Sequence, residues 1–345
     1  MTQPSEVMVA MSGGVDSSVA AALLLEAGHA VTGVTLRLWG GETESGCCSV
    51  SDVEDARRVA AQLDIPHYVL NLADEFEQSV VGPYVDAYAS GRTPNPCVEC
   101  NRVIKFGALL ERAHALGFDT LATGHHARIV ERRDGSFTLA RGIDRAKDQS
   151  YVLYMLGQAT LARTLLPIGE LTKADVRACA TRLGLRTAGK AESMDVCFVR
   201  REDRRRFVRD RSRVRAGTVV DTSGTPLATH DGVEGFTVGQ RRGLGVATGE
   251  PRYVVDVEAA TARVVIGSWD ELLTDRVALC DLRWSAAPPG ASARVQAQTR
   301  AHGDVVEARL DGTVLHLDRR ARRVAPGQVV ALYDDDRLLG GGIAA

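Results

Sequence analysis

Val7-Met8-Val9-Ala10-Met11-Ser12-Gly13-Gly14-Val15-Asp16-Ser17-Ser18 is an apolar run that breaks on two glycines and resumes with helical periodicity from Ser17 to Ala27. A short continuous apolar run predicts a strand buried on both faces. Gly28 supplies a stop for the helix. Paired glycines let the backbone turn tightly and approach a ligand closely. The helix that follows presents unpaired N–H groups and the positive end of its dipole. Ser12, Ser17 and Ser18 add hydroxyl donors. This strand–loop–helix is an anion cradle suited to pyrophosphate, placed where open α/β sheets bind ligands. It lacks the Gly-Lys-Ser/Thr of a Walker A loop and does not follow the dinucleotide Gly-x-Gly-x-x-Gly pattern. The competing reading is a glycine turn with Asp16 capping a helix.

Outward from this loop, strand and helix signals alternate. Val31 to Leu38 reads as a second strand and His67 to Leu72 as a third. Ser51 to Leu63 reads as a helix, with Ser51 as N-cap and Asp52, Glu54 and Asp55 in its first turn. Asn101 to Leu116 is a helix ending at Gly117, and Leu121-Ala122-Thr123 ends a fourth strand before Gly124. Such alternation predicts a doubly wound α/β domain with a parallel sheet. Around Arg215 the texture changes to short segments broken by glycine and proline. Thr218-Val219-Val220, Tyr253 to Val257, Arg263 to Ile266 and Val329 to Tyr333 read as antiparallel β structure. We place boundaries near residues 210 and 275. The expected order is a catalytic domain over 1–210, a small β-rich domain over 211–274 and a β-barrel over 275–345.

The composition agrees with that division. The 345 residues, 45% hydrophobic and 25% charged, suit two or three soluble domains. No apolar run approaches the roughly 20 residues needed to span a bilayer. The polar start Met1 to Glu6 is no secretory signal, so the expected location is the cytoplasm. The net charge of −2 does not mark a nucleic-acid partner. The distribution says more: nine of the sixteen residues from Arg200 to Arg215 are arginine, and Arg319, Arg320, Arg322 and Arg323 form a second cluster. The chain has only four lysines, so these are either solvated faces of an arginine-favouring composition or phosphate-holding surfaces.

Seven cysteines, an odd number, argue against a disulfide framework in a reducing compartment. Cys179 and Cys280 sit in apolar-periodic stretches and read as core, whereas Cys47-Cys48 is ambiguous. Arg92-Thr-Pro-Asn-Pro-Cys97-Val-Glu-Cys100-Asn101 is a proline-stiffened loop feeding a helix. Cys100 near that helix start, with Arg102 and Lys105 close by, suits a thiolate. Cys197 lies beside the arginine-rich stretch.

The Ser-Gly-Gly-x-Asp-Ser loop resembles the signature of the ATP pyrophosphatase superfamily, whose members cleave ATP to AMP and pyrophosphate. The fuller set resembles the tRNA-specific 2-thiouridylases: Gly91-Arg-Thr-Pro-Asn-Pro, Cys100-Asn101, Ile104-Lys105-Phe106, Ala122-Thr-Gly124-His125 and Lys147-Asp148-Gln149-Ser150-Tyr151. It continues with Cys197-Phe198, Thr237 to Gly245 and Pro326-Gly327-Gln328. The match runs in order from residue 7 to the C-terminus. It implies ATP contacts from Ala10, Met11, Ser12, Gly13, Gly14, Val15, Asp16, Ser17, Leu36 and Gly124, with Mg2+ as the companion ion. It implies a persulfide on Cys197, supplied by a cysteine desulfurase or sulfur-relay protein. Cys100 would be the nucleophile, leaving a Cys100–Cys197 disulfide. Asn95, Pro96 and Cys97 would meet the flipped wobble uridine. His125, Lys147, Asp148, Gln149, Arg300, Ala301 and Gln328 would lie against the tRNA. The chemistry is coherent: adenylation turns the uracil 2-oxygen into a leaving group, and a persulfide needs a second thiolate to release its sulfur. The uracil must leave the stack to be reached.

Position 97 departs from the family, where aspartate is common, which puts a proton-carrying role there in doubt. Ala301 stands where an aromatic residue is frequent. An alternative for the sulfur step is a [4Fe–4S] cluster on Cys97, Cys100 and Cys197 that binds hydrosulfide. Two further alternatives are a tRNA-binding module without catalysis and an amidating synthetase, for which neither an ammonia-generating domain nor an amino-acid site is evident.

Overall fold

The computed structural model describes residues 5–39, 50–191, 196–200, 202–213, 215–247, 249–301 and 303–345. Cys47, Cys48 and Ser193 to Asp195 lie outside them. The opening run forms β1 (Glu6–Ala10), and the glycine loop delivers the chain into α1 (Val15–Glu26). β2 (Ala30–Arg37), α2 (Val50–Gln62), β3 (His67–Asn71) and β4 (Thr120–Thr123) follow. β5 (Ala127–Glu131) and β6 (Phe137–Arg141) form a hairpin, and β7 (Thr164–Leu165) closes the first domain's sheet.

That sheet runs β3-β2-β1-β4-β7, with every pair parallel. Its faces follow from strand alternation. Val7 and Val9 meet α1 and the helix Lys173–Arg182 through Val19, Ala20, Val176 and Ala180. Met8 points the other way, into a cluster with Val34, Phe76, Ile104 and Leu121. β1 lies between β2 and β4, so the strand order reverses there. The loop after β1 and Gly124 after β4 therefore share the crevice at the strands' carboxyl ends.

The middle segment builds a four-stranded sheet from β8 (Gly217–Asp221), β9 (Pro226–His230), β10 (Tyr253–Glu258) and β11 (Arg263–Gly267), ordered β10-β11-β8-β9. One pair departs from the antiparallel expectation: β8 and β11 run parallel. Their pairing joins strands some forty residues apart, which local periodicity does not encode.

The last segment comprises β12 (Leu273–Trp284), β13 (Ala293–Gln298), β14 (Val305–Asp311), β15 (Val314–Arg322), β16 (Val329–Asp334) and β17 (Arg337–Ala344). β12 pairs with both β15 and β17, closing a six-stranded barrel. The β5–β6 hairpin of the first domain is attached through Arg337 opposite Ala140. Val329, Ala331, Tyr333 and Leu338 of the barrel share a core with Leu139, Tyr151 and Tyr154 of the first domain. Cys280 is exposed rather than core. On β12, Val277 and Leu279 face inward, so Cys280 falls on the outward phase. Cys179 is partly buried against the α1 cluster, nearer to expectation.

Candidate active site

The phosphate loop is held from three sides. Gly13 has φ +72°, and a Cβ there would overlap the backbone carbonyl of Asp52 at the start of α2. Gly124 packs on the far side, where a Cβ would stand 2.6 Å from the Ser17 nitrogen. Only residues without a side chain fit both places. Within the loop, Ser17 Oγ accepts from the Ser12 nitrogen at 3.1 Å, and Ser18 Oγ donates to the Gly14 carbonyl at 2.8 Å.

Two of the chain's four lysines supply the third side. Lys173 Nζ donates to both Asp16 carboxylate oxygens, at 2.7 and 2.8 Å, and His126 Nε2 lies 3.3 Å from Oδ1. Burial works to raise the Asp16 pKa, but the hydrogen bonds from His126 and Lys173 outweigh it and hold the carboxyl below its ordinary value. Lys190 Nζ donates to the Gly13 carbonyl at 3.0 Å, to Asp52 at 2.7 Å and to Asp55 at 2.6 Å. The helix-start acids read from the sequence thus anchor a lysine under the loop. Lys173 and Lys190 escaped sequence reasoning, and His126 reads from the sequence only as a core or structural histidine. The signal was the scarcity of lysine itself, since two of only four sit against one loop.

The fit to ATP is good. Ser12 is exposed, the α1 amides are unobstructed by side chains at Gly13 and Gly14, and ammonium groups stand close by. Asp16 is the carboxylate at the loop, and both its oxygens are engaged by Lys173, so a cation accompanying ATP would share Asp16 with that lysine.

The cysteine loop is braced by the other two domains. Gln328 Nε2 donates to the Thr93 carbonyl at 2.7 Å, and the Thr93 nitrogen donates to the Pro326 carbonyl at 2.7 Å. A Cβ on Gly91 (φ +72°) would meet Val257 at 2.9 Å. The helix starts earlier than its periodicity predicts: Asn95 caps it by accepting from the Cys97 nitrogen at 3.1 Å, and Pro96 takes its first position. Cys100 therefore lies a turn inside, at the head of a π-wound stretch, Cys100–Leu109. Such winding is often found at functional sites. Arg102 is engaged with Glu99 at 2.6 Å.

Cys97 is exposed, Cys100 is buried and Cys197 is half-buried. Cys100 belongs to the large apolar cluster, and Cys197 packs against the same cluster. Phe198 secures the second position through ring contacts with Tyr84 at 5.2 Å, Phe76 at 5.6 Å and Phe207 at 5.6 Å. Among the described residues, no three His, Cys, Asp or Glu side chains are arranged to hold a metal ion. Cys97, Cys100 and Cys197 are thus not gathered into a ligand set of the kind an iron–sulfur cluster needs.

The residues expected against RNA divide into two kinds. Arg300 is exposed, and Lys147, Gln149 and Ala301 are partly exposed. His125 and Asp148 are buried. His125 Nδ1 lies 2.7 Å from Thr123 Oγ1, and its pKa is pushed well below the ordinary value by burial and then by Lys105. The arginine clusters are partly spent within the protein. Arg204 stacks on Tyr88, Arg211 on Phe207, and Arg320 donates to the Asp270 and Leu273 carbonyls.

A five-stranded parallel sheet with this glycine loop at its switch point defines an ATP pyrophosphatase-type domain. A family model described as the tRNA methyl transferase HUP domain matches residues 5–201. The tRNA methyl transferase PRC-barrel domain matches 205–268, and the aminomethyltransferase beta-barrel domain matches 274–344. The tRNA-specific 2-thiouridylase MnmA of Chloroflexus aggregans is 50% identical, with 98% of each chain covered. Its counterpart in Chloroflexus aurantiacus is 49% identical over the same shares. The chain belongs to the tRNA-specific 2-thiouridylase family. Among solved structures, a 4-thiouridine synthetase–RNA complex with bound ATP is similar at 17% identity and TM-score 0.39, over 56% of this chain and 45% of that one. No described helix is long and apolar enough to cross a membrane.

Proposed function

We propose that this protein is an ATP-dependent tRNA uridine 2-sulfurtransferase acting on the wobble position. The observation that carries the reading is the combination of a glycine phosphate cradle with two cysteines, Cys100 and Cys197, on one apolar cluster. The matched family models speak of methyl transfer. A pyrophosphate-type loop and two such thiols favour the thiolation for which the curated relatives are named.

ATP lies with its phosphates over Ser12 to Ser17, and Gly124 leaves room beside the loop. Asp16, with the ATP phosphates, would hold Mg2+, which when bound would supply positive charge against the leaving pyrophosphate. The uracil 2-oxygen attacks the α-phosphorus, and pyrophosphate departs. A cysteine desulfurase or sulfur-relay partner has already placed a second sulfur on Cys197. That terminal sulfur attacks C2 and displaces AMP. The Cys100 thiolate then attacks the Cys197 sulfur and breaks the S–S bond. 2-Thiouridine leaves, and a Cys100–Cys197 disulfide remains for a cellular thiol to reduce. The apolar surroundings of Cys100 keep water from the activated carbon. Asn95 to Cys97 face the flipped base, and Lys147, Gln149, Arg300, Ala301 and Gln328 form the RNA side. The three-domain division at 210 and 275 and a cytoplasmic setting belong to this reading.

Nucleoside mass analysis of tRNA incubated with ATP and a persulfide donor tests it. Wild type makes 2-thiouridine; Cys100→Ala and Cys197→Ala make none. Undiminished product from both variants, or product without ATP, would sink the reading.

A further inference from the structure

The chain from Leu183 to Lys190, which leads from the helix Lys173–Arg182 toward Cys197, is tied down along α2. Gln62 Nε2 donates to the Leu183 and Gly184 carbonyls at 3.3 and 2.8 Å. Arg186 Nε lies 3.3 Å from Asp55. Arg177 donates to the Ala188 carbonyl at 2.7 Å and to the Lys190 carbonyl at 3.2 Å. The backbone at Lys190 is thereby fixed, and its side chain reaches under the phosphate loop from an anchored start.

The Lys190 ammonium meets three acceptors there: the Gly13 carbonyl at 3.0 Å, Asp52 Oδ1 at 2.7 Å and Asp55 Oδ2 at 2.6 Å. An ammonium has three N–H donors. All three are engaged inside the protein, and two carboxylates face the one positive charge. Such a group is poorly suited to grip a phosphate itself. Its hydrogen bond holds the Asp55 carboxyl below its ordinary value, so the contact stays ionic. Lysine suits the place because a tetrahedral ammonium can aim at a carbonyl and two carboxylates from separate elements, where a planar guanidinium fork cannot.

The consequence falls on the peptide between Gly13 and Gly14. A trans peptide is planar, so its C=O and N–H point in opposite directions. Lys190 holds the Gly13 carbonyl on the side of α2, where the backbone of Asp52 also closes against Gly13. The Gly14 N–H is thereby turned away from α2. Among the described residues the Gly14 nitrogen has no acceptor. Gly14 is the N-cap of α1, next to the unpaired amides of the first turn. A reversed peptide would put a carbonyl oxygen, with its negative partial charge, on the side where an anion has to bind.

We propose that Lys190 is a positioning residue for adenylation: it fixes the Gly13–Gly14 peptide so that the Gly14 N–H donates to the departing pyrophosphate. The inference rests on the adenylation reading and assigns to that step a residue that acts through the backbone without touching the nucleotide. Charge gathers on pyrophosphate as its bond to the α-phosphorus breaks. A donor aimed at it therefore counts for more in the transition state than in bound ATP.

The test is ATP–pyrophosphate exchange by the full chain with tRNA and no sulfur donor, beside thermal melting. Lys190→Met lowers the exchange rate at saturating ATP about tenfold, as expected for losing one hydrogen bond to a charged group. It changes the KM for ATP by less than about twofold. It also lowers the melting temperature, because Asp52 and Asp55 are left facing each other. Lys190→Met combined with Asp55→Asn keeps the wild-type net charge and removes that repulsion. Its melting temperature returns toward wild type while its exchange rate stays about tenfold down. Three results overturn the proposal: a wild-type rate in Lys190→Met, a loss confined to KM, or a rate that recovers together with the melting temperature in the double variant. The last would make the lysine a counterion alone. Wild type that exchanges, with any of these three results, removes the proposal alone; wild type that shows no exchange removes the adenylation reading and the proposal with it.

Discussion

His125 shows how burial turns one residue into a pH-dependent term. An unfolded histidine takes up its proton near pH 6.5. The buried imidazole, beside Thr123 and near Lys105, resists protonation until well below that. Between those limits the unfolded chain binds more protons than the folded one, so stability is complete above pH 6.5 and falls as the pH drops. This one group contributes a slope of at most about 1.4 kcal/mol per pH unit. Urea melts at pH 7.5 and pH 5.5 should show wild type losing more stability on acidification than His125→Gln. Equal losses would mean that the ring already carries a proton in the folded state.

At the scale of elements, the phosphate loop makes a sharper prediction. Gly13 and Gly28 both have positive φ, +72° and +87°, so alanine at either carries a left-handed strain of about 1–2 kcal/mol. They differ in their surroundings. Nothing stands within 4 Å of a Cβ on Gly28, whereas one on Gly13 would collide with the backbone of α2. Gly28→Ala should lower the melting temperature and leave the KM for ATP unchanged. Gly13→Ala should lower it further and raise the KM for ATP at least tenfold, because the loop must move. Equal behaviour of the two would show that the loop tolerates displacement. The contrast also marks what the sequence made legible. β1, the loop, α1 and β2 to β4 are local patterns and appear where periodicity places them, within a residue or two. The β5–β6 hairpin was missed although Asp134-Gly135 marks its turn, with Gly135 at φ +78°. The loop and the two cysteines were legible because each carries its own chemistry in a short segment. The loop-side roles of Lys173, Lys190 and His126 were not, because their partners in the loop lie between 110 and 177 residues away.

At the scale of the molecule, the change of texture near residue 210 and the boundary of the core do not coincide. Tyr333 of the barrel is fully buried, and its hydroxyl lies 2.9 Å from Ser150 Oγ. Tyr151 in turn donates to the Val329 carbonyl at 2.7 Å. With Val329, Ala331 and Leu338, the barrel completes the cluster that holds Cys100. Cutting the chain after residue 213 would strip four barrel side chains from that cluster. At about 1.5–3 kcal/mol for each large apolar group, the loss is roughly 5–10 kcal/mol, comparable to the whole stability of a typical domain. A fragment of residues 1–213 should therefore keep helical circular dichroism yet lose its cooperative melt and its near-ultraviolet tyrosine signal. A fragment that melts sharply at the temperature of the full chain would show that the nucleotide domain stands alone. The barrel would then serve only to receive RNA, and not also to hold the cysteine loop in place.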